Sequence, residues 1–234
     1  MKAFLMAGQS NMAGRGNFED VPVIQNEHCF MLRNGLWEPM HEPVNPDAPF
    51  FPVYDDLHSG ISLAAKFAEL YAETYHEDVG LIPCAHGGTL ASQWMPGEIL
   101  FDHAVFQTKL ASRTSEVIGI LWHQGEQDSV NEKDAGAHKD KTRTILKALQ
   151  NEVGNGSLPV IVGQLGHFIG DLCPYFETVN AGLEELCAAE PTFGFVRADG
   201  LTPKHDGVHF DAVSCREFGR RYFEVYRSLR EASR

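Results

Sequence analysis

The sequence predicts an α/β fold in which a parallel sheet of five buried strands is covered by helices on both faces. Three observations carry this. Short apolar runs recur along the chain, segments with helical spacing separate them, and over 234 residues the balance of 43% hydrophobic to 22% charged is that of a globular domain. Strands that alternate with helices are joined by right-handed crossovers, which set the strands parallel and place helices on both faces.

The first run covers residues 2–7 and ends at Gly8. Its apolar stretch is too short for the core of a signal peptide, so it reads as a strand. Four further runs follow at residues 79–83, 117–122, 159–163 and 193–196. Helical spacing marks Ile61, Ala64, Ala65, Ala68 and Leu70, then residues 104–110, 142–149 and 176–186, and a last helix from about 211 to 229. Two stretches break the rhythm. Residues 17–57 hold Pro22, Pro39, Pro43, Pro46, Pro49 and Pro52 and read as a long irregular excursion, the kind of loop that covers or serves a binding site. Residues 197–208 are short and polar and join the last strand to the last helix. The length suits one domain spanning residues 1–234.

Composition excludes several classes. A formal net charge of -13 argues against nucleic acid, which is held by clustered Lys and Arg. No run approaches the roughly 20 apolar residues that span a bilayer, so no membrane partner is expected. Cys29, Cys84, Cys173, Cys187 and Cys215 form an odd set without a CxxC pair, which points to a reducing compartment and a cytoplasmic location. His86, His123, His167 and His205, taken with Asp206, raise the possibility of a divalent-metal hydrolase, but no tight ligand spacing such as HExxH occurs, so neither metal nor cofactor is expected. No heptad pattern assigns an oligomeric state.

In an open parallel sheet the ligand lies outside the carboxyl ends of the strands. The residues that follow the five runs are Gly8-Gln9-Ser10-Asn11-Met12, His86-Gly87-Gly88-Thr89, His123-Gln124-Gly125-Glu126, Gln164-Leu165-Gly166-His167 and Asp206-Gly207-Val208-His209. A serine hydroxyl needs a base to take its proton as it attacks a carbonyl, and His209 is the candidate. Asp206, three residues earlier on the same loop, is placed to hold the imidazole and stabilise its charged form. Donors for an oxyanion are offered by the backbone N–H groups of Ser10 and Gly88 and by the Gln124 side chain. Taken singly, each fragment is an ordinary turn or cap; their convergence on one sheet edge carries the argument. Trp37 and Trp94, near the motif loops, are candidates to stack on a sugar, although packing is the commoner use of tryptophan.

The blocks Gly8-Gln9-Ser10-Asn11-Met12, Gly87-Gly88-Thr89, Trp122-His123-Gln124-Gly125-Glu126 and Asp206-x-x-His209 resemble the carbohydrate esterase family of acetyl xylan esterases and sialate O-acetylesterase-like domains, within the SGNH hydrolase superfamily. The resemblance spans nearly the whole chain. It implies a flavodoxin-like three-layer α/β/α sandwich with a five-stranded parallel sheet. It also implies a serine esterase acting on an acetylated carbohydrate or other small ester. Carried over by position, Ser10 is the nucleophile, His209 the base and Asp206 the acid, with Gly88 and Gln124 in the oxyanion hole and Gln9 and Asn11 beside them as oxyanion or substrate contacts. Glu126 competes with Asp206 for the role of acid, the other reading being that it ties down the loop carrying Gln124. A carbohydrate-binding module that has lost catalysis is the alternative from another class.

Overall fold

The computed structural model describes residues 1–47, 58–154 and 156–232. Seven strands form one sheet: β1 (Lys2–Gly8), β2 (Cys29–Arg33), β3 (Leu36–Pro39), β4 (Val79–Pro83), β5 (Glu116–His123), β6 (Val160–Gly163) and β7 (Phe193–Val196). Their order is β3-β2-β4-β1-β5-β6-β7. The five expected strands lie together as the parallel block β4-β1-β5-β6-β7, the flavodoxin-like order in which the first strand sits second.

The sheet has seven strands rather than five because part of the excursion folds as a hairpin. Strand β2 runs parallel beside β4, with Cys29 opposite Val79, and β3 turns back antiparallel, with Arg33 opposite Leu36. The link is Asn34-Gly35, both at positive φ (48° and 79°), the two-residue turn whose twist matches that of the strands it joins. That dipeptide between apolar runs is a legible hairpin signal; the prolines around it obscured the strands. Residues 48–57 of the excursion lie outside the described residues.

Among the described residues six α-helices pack on the sheet: α1 (Ser10–Ala13), α2 (Leu63–Tyr75), α3 (Ile99–Ala111), α4 (Glu132–Val153), α5 (Phe176–Ala189) and α6 (Ala212–Ala232). Alternation along β1 divides the core. Phe4 and Met6 face α2 and α6, where the Phe4 ring meets Phe67, Tyr71 and Tyr226 edge-on at 4.7–5.3 Å. Ala3, Leu5 and Ala7 face the opposite layer of α3, α4 and α5. Helix α4 starts ten residues before its expected position. Its buried stripe runs Ala135, His138, Thr142, Ile145, Leu146 and Leu149, and the polar members conceal the apolar period. Among the described residues no helix is long and apolar enough to cross a membrane.

The strand order reverses at β1 and β5, and there the backbones meet closely. Gly8 has φ +131°, and a Cβ on it would stand 2.0 Å from the His123 carbonyl oxygen. The next residue, Gln9, donates its N–H to that same carbonyl at 2.8 Å. Only glycine lets the chain leave β1 this way, and the turn delivers Ser10 to the crevice at the switch point.

Candidate active site

Ser10 opens α1 directly after the turn, 5% exposed, its N–H among the first of the helix and without an intrahelical acceptor. The loop from β7 to α6 brings His209 over it. The His209 Nε2 lies 3.0 Å from Ser10 Oγ, and Nδ1 lies 2.9 Å from Asp206 Oδ2. The other carboxylate oxygen, Oδ1, accepts the backbone N–H groups of Val208 and His209, each at 2.9 Å. Asp206, Val208 and His209 therefore form one locally closed turn. Burial alone would raise the Asp206 carboxyl; the His209 N–H, its ring and the Val208 N–H outweigh it and hold the group below the usual carboxylate range. The order Asp206, His209, Ser10 is that of a charge-oriented base facing a hydroxyl.

Glu126 does not touch His209. It is 2% exposed, and its Oε1 accepts from both the Asn11 amide and His123 Nε2, the latter at 3.0 Å. Of the two competing carboxylates, Asp206 is the one in contact with the imidazole. Complete burial would raise the Glu126 carboxyl, but the adjacent His123 and the Asn11 amide outweigh it, and the group lies below its ordinary range.

Three residues expected at the oxyanion or the substrate, Gln124, Gln9 and Asn11, carry hydrogen bonds to the neighbouring loops. Gln124 has no exposed surface; its Nε2 donates to Thr89 O at 2.9 Å and to Asp128 Oδ2 at 2.6 Å, and its Oε1 accepts from His138 Nε2 at 2.8 Å. With both amide hydrogens taken it has none for an oxyanion. Gln9, 3% exposed, turns its Oε1 to the N–H groups of Gly125 and Gln127. Asn11, 2% exposed, bridges Glu126 to the backbone of the His209 loop, donating to Val208 O and accepting from Phe210 N–H. Gln124 and Asn11, buried amides with partners on both ends, brace the site, whereas Gln9 is anchored through its oxygen alone.

The glycine pair after β4 divides its work. A Cβ on Gly87 would lie 3.4 Å from Ser10 Cβ and 2.7 Å from Arg15 Nη2, whereas Gly88, exposed and at φ +69°, faces open space. Sequence alone could not say which of the two adjoins the nucleophile. Arg15 was missed altogether. It is 9% exposed, its Nη1 donates to Gly14 O at 2.8 Å, and its Nε has no partner. Burial lowers its pKa, while Asp47 and Asp206 act on it through space in the other direction. A lone arginine between two glycines carries no signal of burial; only the packing of α1 against the Gly87 turn creates it.

The tryptophans serve packing. Trp94 is fully buried, its Nε1 bonded to Thr89 Oγ1 and its ring edge-on to Trp122, while Trp37 lies over Gly80, whose Cβ would meet its ring at 2.4 Å. Among the described residues no group of three His, Cys, Asp or Glu side chains converges to hold a metal ion.

The model of one family, described as carbohydrate esterase, sialic acid-specific acetylesterase, matches residues 1–228. A probable carbohydrate esterase of Arabidopsis thaliana is 28% identical over 96% of this chain and 90% of its own length. A crystal structure of an Arabidopsis thaliana protein superposes with a TM-score of 0.85 at 26% identity, over 97% of this chain and 98% of that one. NanS, with a TM-score of 0.78 at 14% identity, covers 99% of this chain and 98% of its own, and shares the fold. So does a carbohydrate acetylesterase from Xanthomonas citri, with a TM-score of 0.71 at 17% identity, over 98% of this chain and 57% of that one.

Proposed function

This chain belongs to the carbohydrate esterase, sialic acid-specific acetylesterase family, and from that membership we propose that it removes O-acetyl groups from carbohydrates through an acetyl-enzyme on Ser10. As a member it is a carboxylic ester hydrolase. The observation that carries the mechanism is the unbroken line from Asp206 through His209 to Ser10, with both contacts at hydrogen-bond length.

His209 Nε2 takes the Ser10 proton as Oγ attacks the acetyl carbonyl carbon. Asp206 holds Nδ1–H and stabilises the imidazolium. The oxyanion is received by the N–H groups of Ser10 and of Gly88, the glycine next to Gly87 at the nucleophile. His209 then gives its proton to the departing sugar oxygen, leaving the acetyl group on Ser10. A water that loses its proton to His209 attacks the acetyl carbon, and acetate departs as Ser10 Oγ regains a proton. Arg15 narrows the substrate. A buried guanidinium beside Gly87, the glycine that adjoins Ser10, favours an acetylated sugar that carries a carboxylate over a neutral, xylan-type ester.

The test pairs mass spectrometry with acetate release. A serine-directed fluorophosphonate should add to Ser10, and Ser10→Ala should lose acetate release by at least about 1,000-fold while its circular dichroism matches the parent. Activity retained in Ser10→Ala refutes the mechanism. No adduct, together with measurable binding of acetylated sugars, supports the carbohydrate-binding module instead.

A further inference from the structure

Among the buried carboxylates that the proposed chemistry does not use is Glu126, which grips the Asn11 amide. Asn11 follows the nucleophile directly. Its Oδ1 accepts the Phe210 N–H at 3.1 Å and its Nδ2 donates to Val208 O at 3.3 Å, so a single side chain holds the backbone on both sides of His209. The consecutive residues Gln9, Ser10 and Asn11 thus reach three places: the turn at 125–127, the His209 ring, and the backbone flanking that ring.

An asparagine amide grips 208 and 210 in this way only in one of its two orientations. Flipped, it would set its oxygen against Val208 O and its NH2 against the Phe210 N–H. What selects the orientation is the partner behind it. Glu126 Oε1 is an acceptor, already taking the His123 Nε2–H, so it admits only the NH2 end of Asn11. His123 is itself wedged, fully buried, between Phe210 and Phe218, with its Nδ1 3.4 Å from the Tyr222 hydroxyl. The order of dependence is therefore His123, Glu126, Asn11, then the His209 loop. That loop needs the support, because its ring is partly exposed and Asp206 holds it only from within the same turn.

We infer that Glu126 is a positioning residue, which orients the Asn11 amide and through it sets the reach of His209 to Ser10. The inference rests on the reading of Ser10 as nucleophile and His209 as base, and it goes further by giving the second carboxylate a task other than supporting the imidazole. A displacement of His209 by a fraction of an ångström leaves the Asp206–His209 turn intact and lengthens only the contact with Ser10.

The test is a double-mutant cycle of Asn11→Ala and Glu126→Leu on 4-nitrophenyl acetate, with kcat expressed per site titrated to completion by a fluorophosphonate. Asn11→Ala should lower kcat per titrated site by about 10- to 100-fold with KM within about twofold, the cost of a misplaced catalytic group. Glu126→Leu should fall in the same range, and Glu126→Gln, which keeps an acceptor for Asn11, should recover most of the loss. Because Glu126 acts through Asn11, the double variant should be no slower than Asn11→Ala alone. Losses that multiply in the double variant overturn the inference. So does a reduced titre with unchanged kcat per titrated site, which is what a merely structural role produces. Should Glu126→Leu not fold, the cycle is run with Glu126→Met, which likewise removes the acceptor for Asn11. Failure of the parent chain to form an adduct on Ser10 counts against the mechanism, whereas an adduct with unchanged kcat per site in Asn11→Ala counts against the clasp alone.

Discussion

His138 lies on the buried face of α4, with no exposed surface, and is held neutral there. Its Nε2–H donates to Gln124 Oε1 at 2.8 Å, while Nδ1 has no partner. Protonation would bury an N–H with nothing to accept it. Burial accordingly pushes the imidazole from its usual 6.5 down to about 4, against the nearby Glu126 charge, which favours protonation. Between those two values the unfolded chain binds a proton that the folded chain refuses, so stability falls as pH falls. The slope is about 1.4 kcal/mol per pH unit, so taking the protein from pH 7 to pH 4.5 should cost roughly 2 kcal/mol through this residue alone. Other groups titrate as well, so the measurement is a double difference: urea unfolding of the parent and of His138→Asn at both pH values. The variant loses the bond to Gln124 and starts less stable at pH 7. Its deficit should shrink by roughly 2 kcal/mol at pH 4.5, because it has no imidazole to protonate. A deficit that stays within about 0.5 kcal/mol between the two pH values refutes the reasoning, since His138 would then be as readily protonated folded as unfolded.

Other outcomes follow from single positions. Gly8→Ala should fail to give soluble folded protein, since its Cβ would stand 2.0 Å from the His123 carbonyl at φ +131°; a cooperative melt within about 5 °C of the parent would contradict this. Gly87→Ala should keep the fold and lose about tenfold or more in kcat/KM, because the methyl enters the space beside Ser10. Gly88→Ala, with open space before it, should keep its activity within about threefold and lose about 1 kcal/mol of stability to its positive φ, and equal kinetic effects at the two glycines would contradict the assignment. Arg15→Gln should raise KM about tenfold or more for an acetyl ester that carries a carboxylate and less than about twofold for 4-nitrophenyl acetate; equal effects on both esters would remove Arg15 from substrate selection.

The strand ends and the pairing of Asp206 with His209 were legible in the sequence because both are local. Apolar runs of strand length announce themselves by period and by the turn residues that stop them, and two residues three apart on a short loop meet whatever the remainder of the chain does. The oxyanion and carboxylate assignments were not local. Gln124 and Asn11 are amides whose chemistry permits either ligand contact or loop bracing, and only their burial between strand ends, which spends both ends of each, decides for bracing. The same holds for Glu126 against Asp206, where competence is equal and contact with His209 is the difference. Gly87 and Arg15 became part of the site through the approach of α1 to a turn more than seventy residues away, and no pattern in the chain encodes that distance. The sequence by itself determined which chemical groups arrive at the edge of the sheet; the tertiary structure decided which of them face Ser10 and which hold the others still, because a side chain's hydrogen bonds are allotted only once burial has removed water as their alternative.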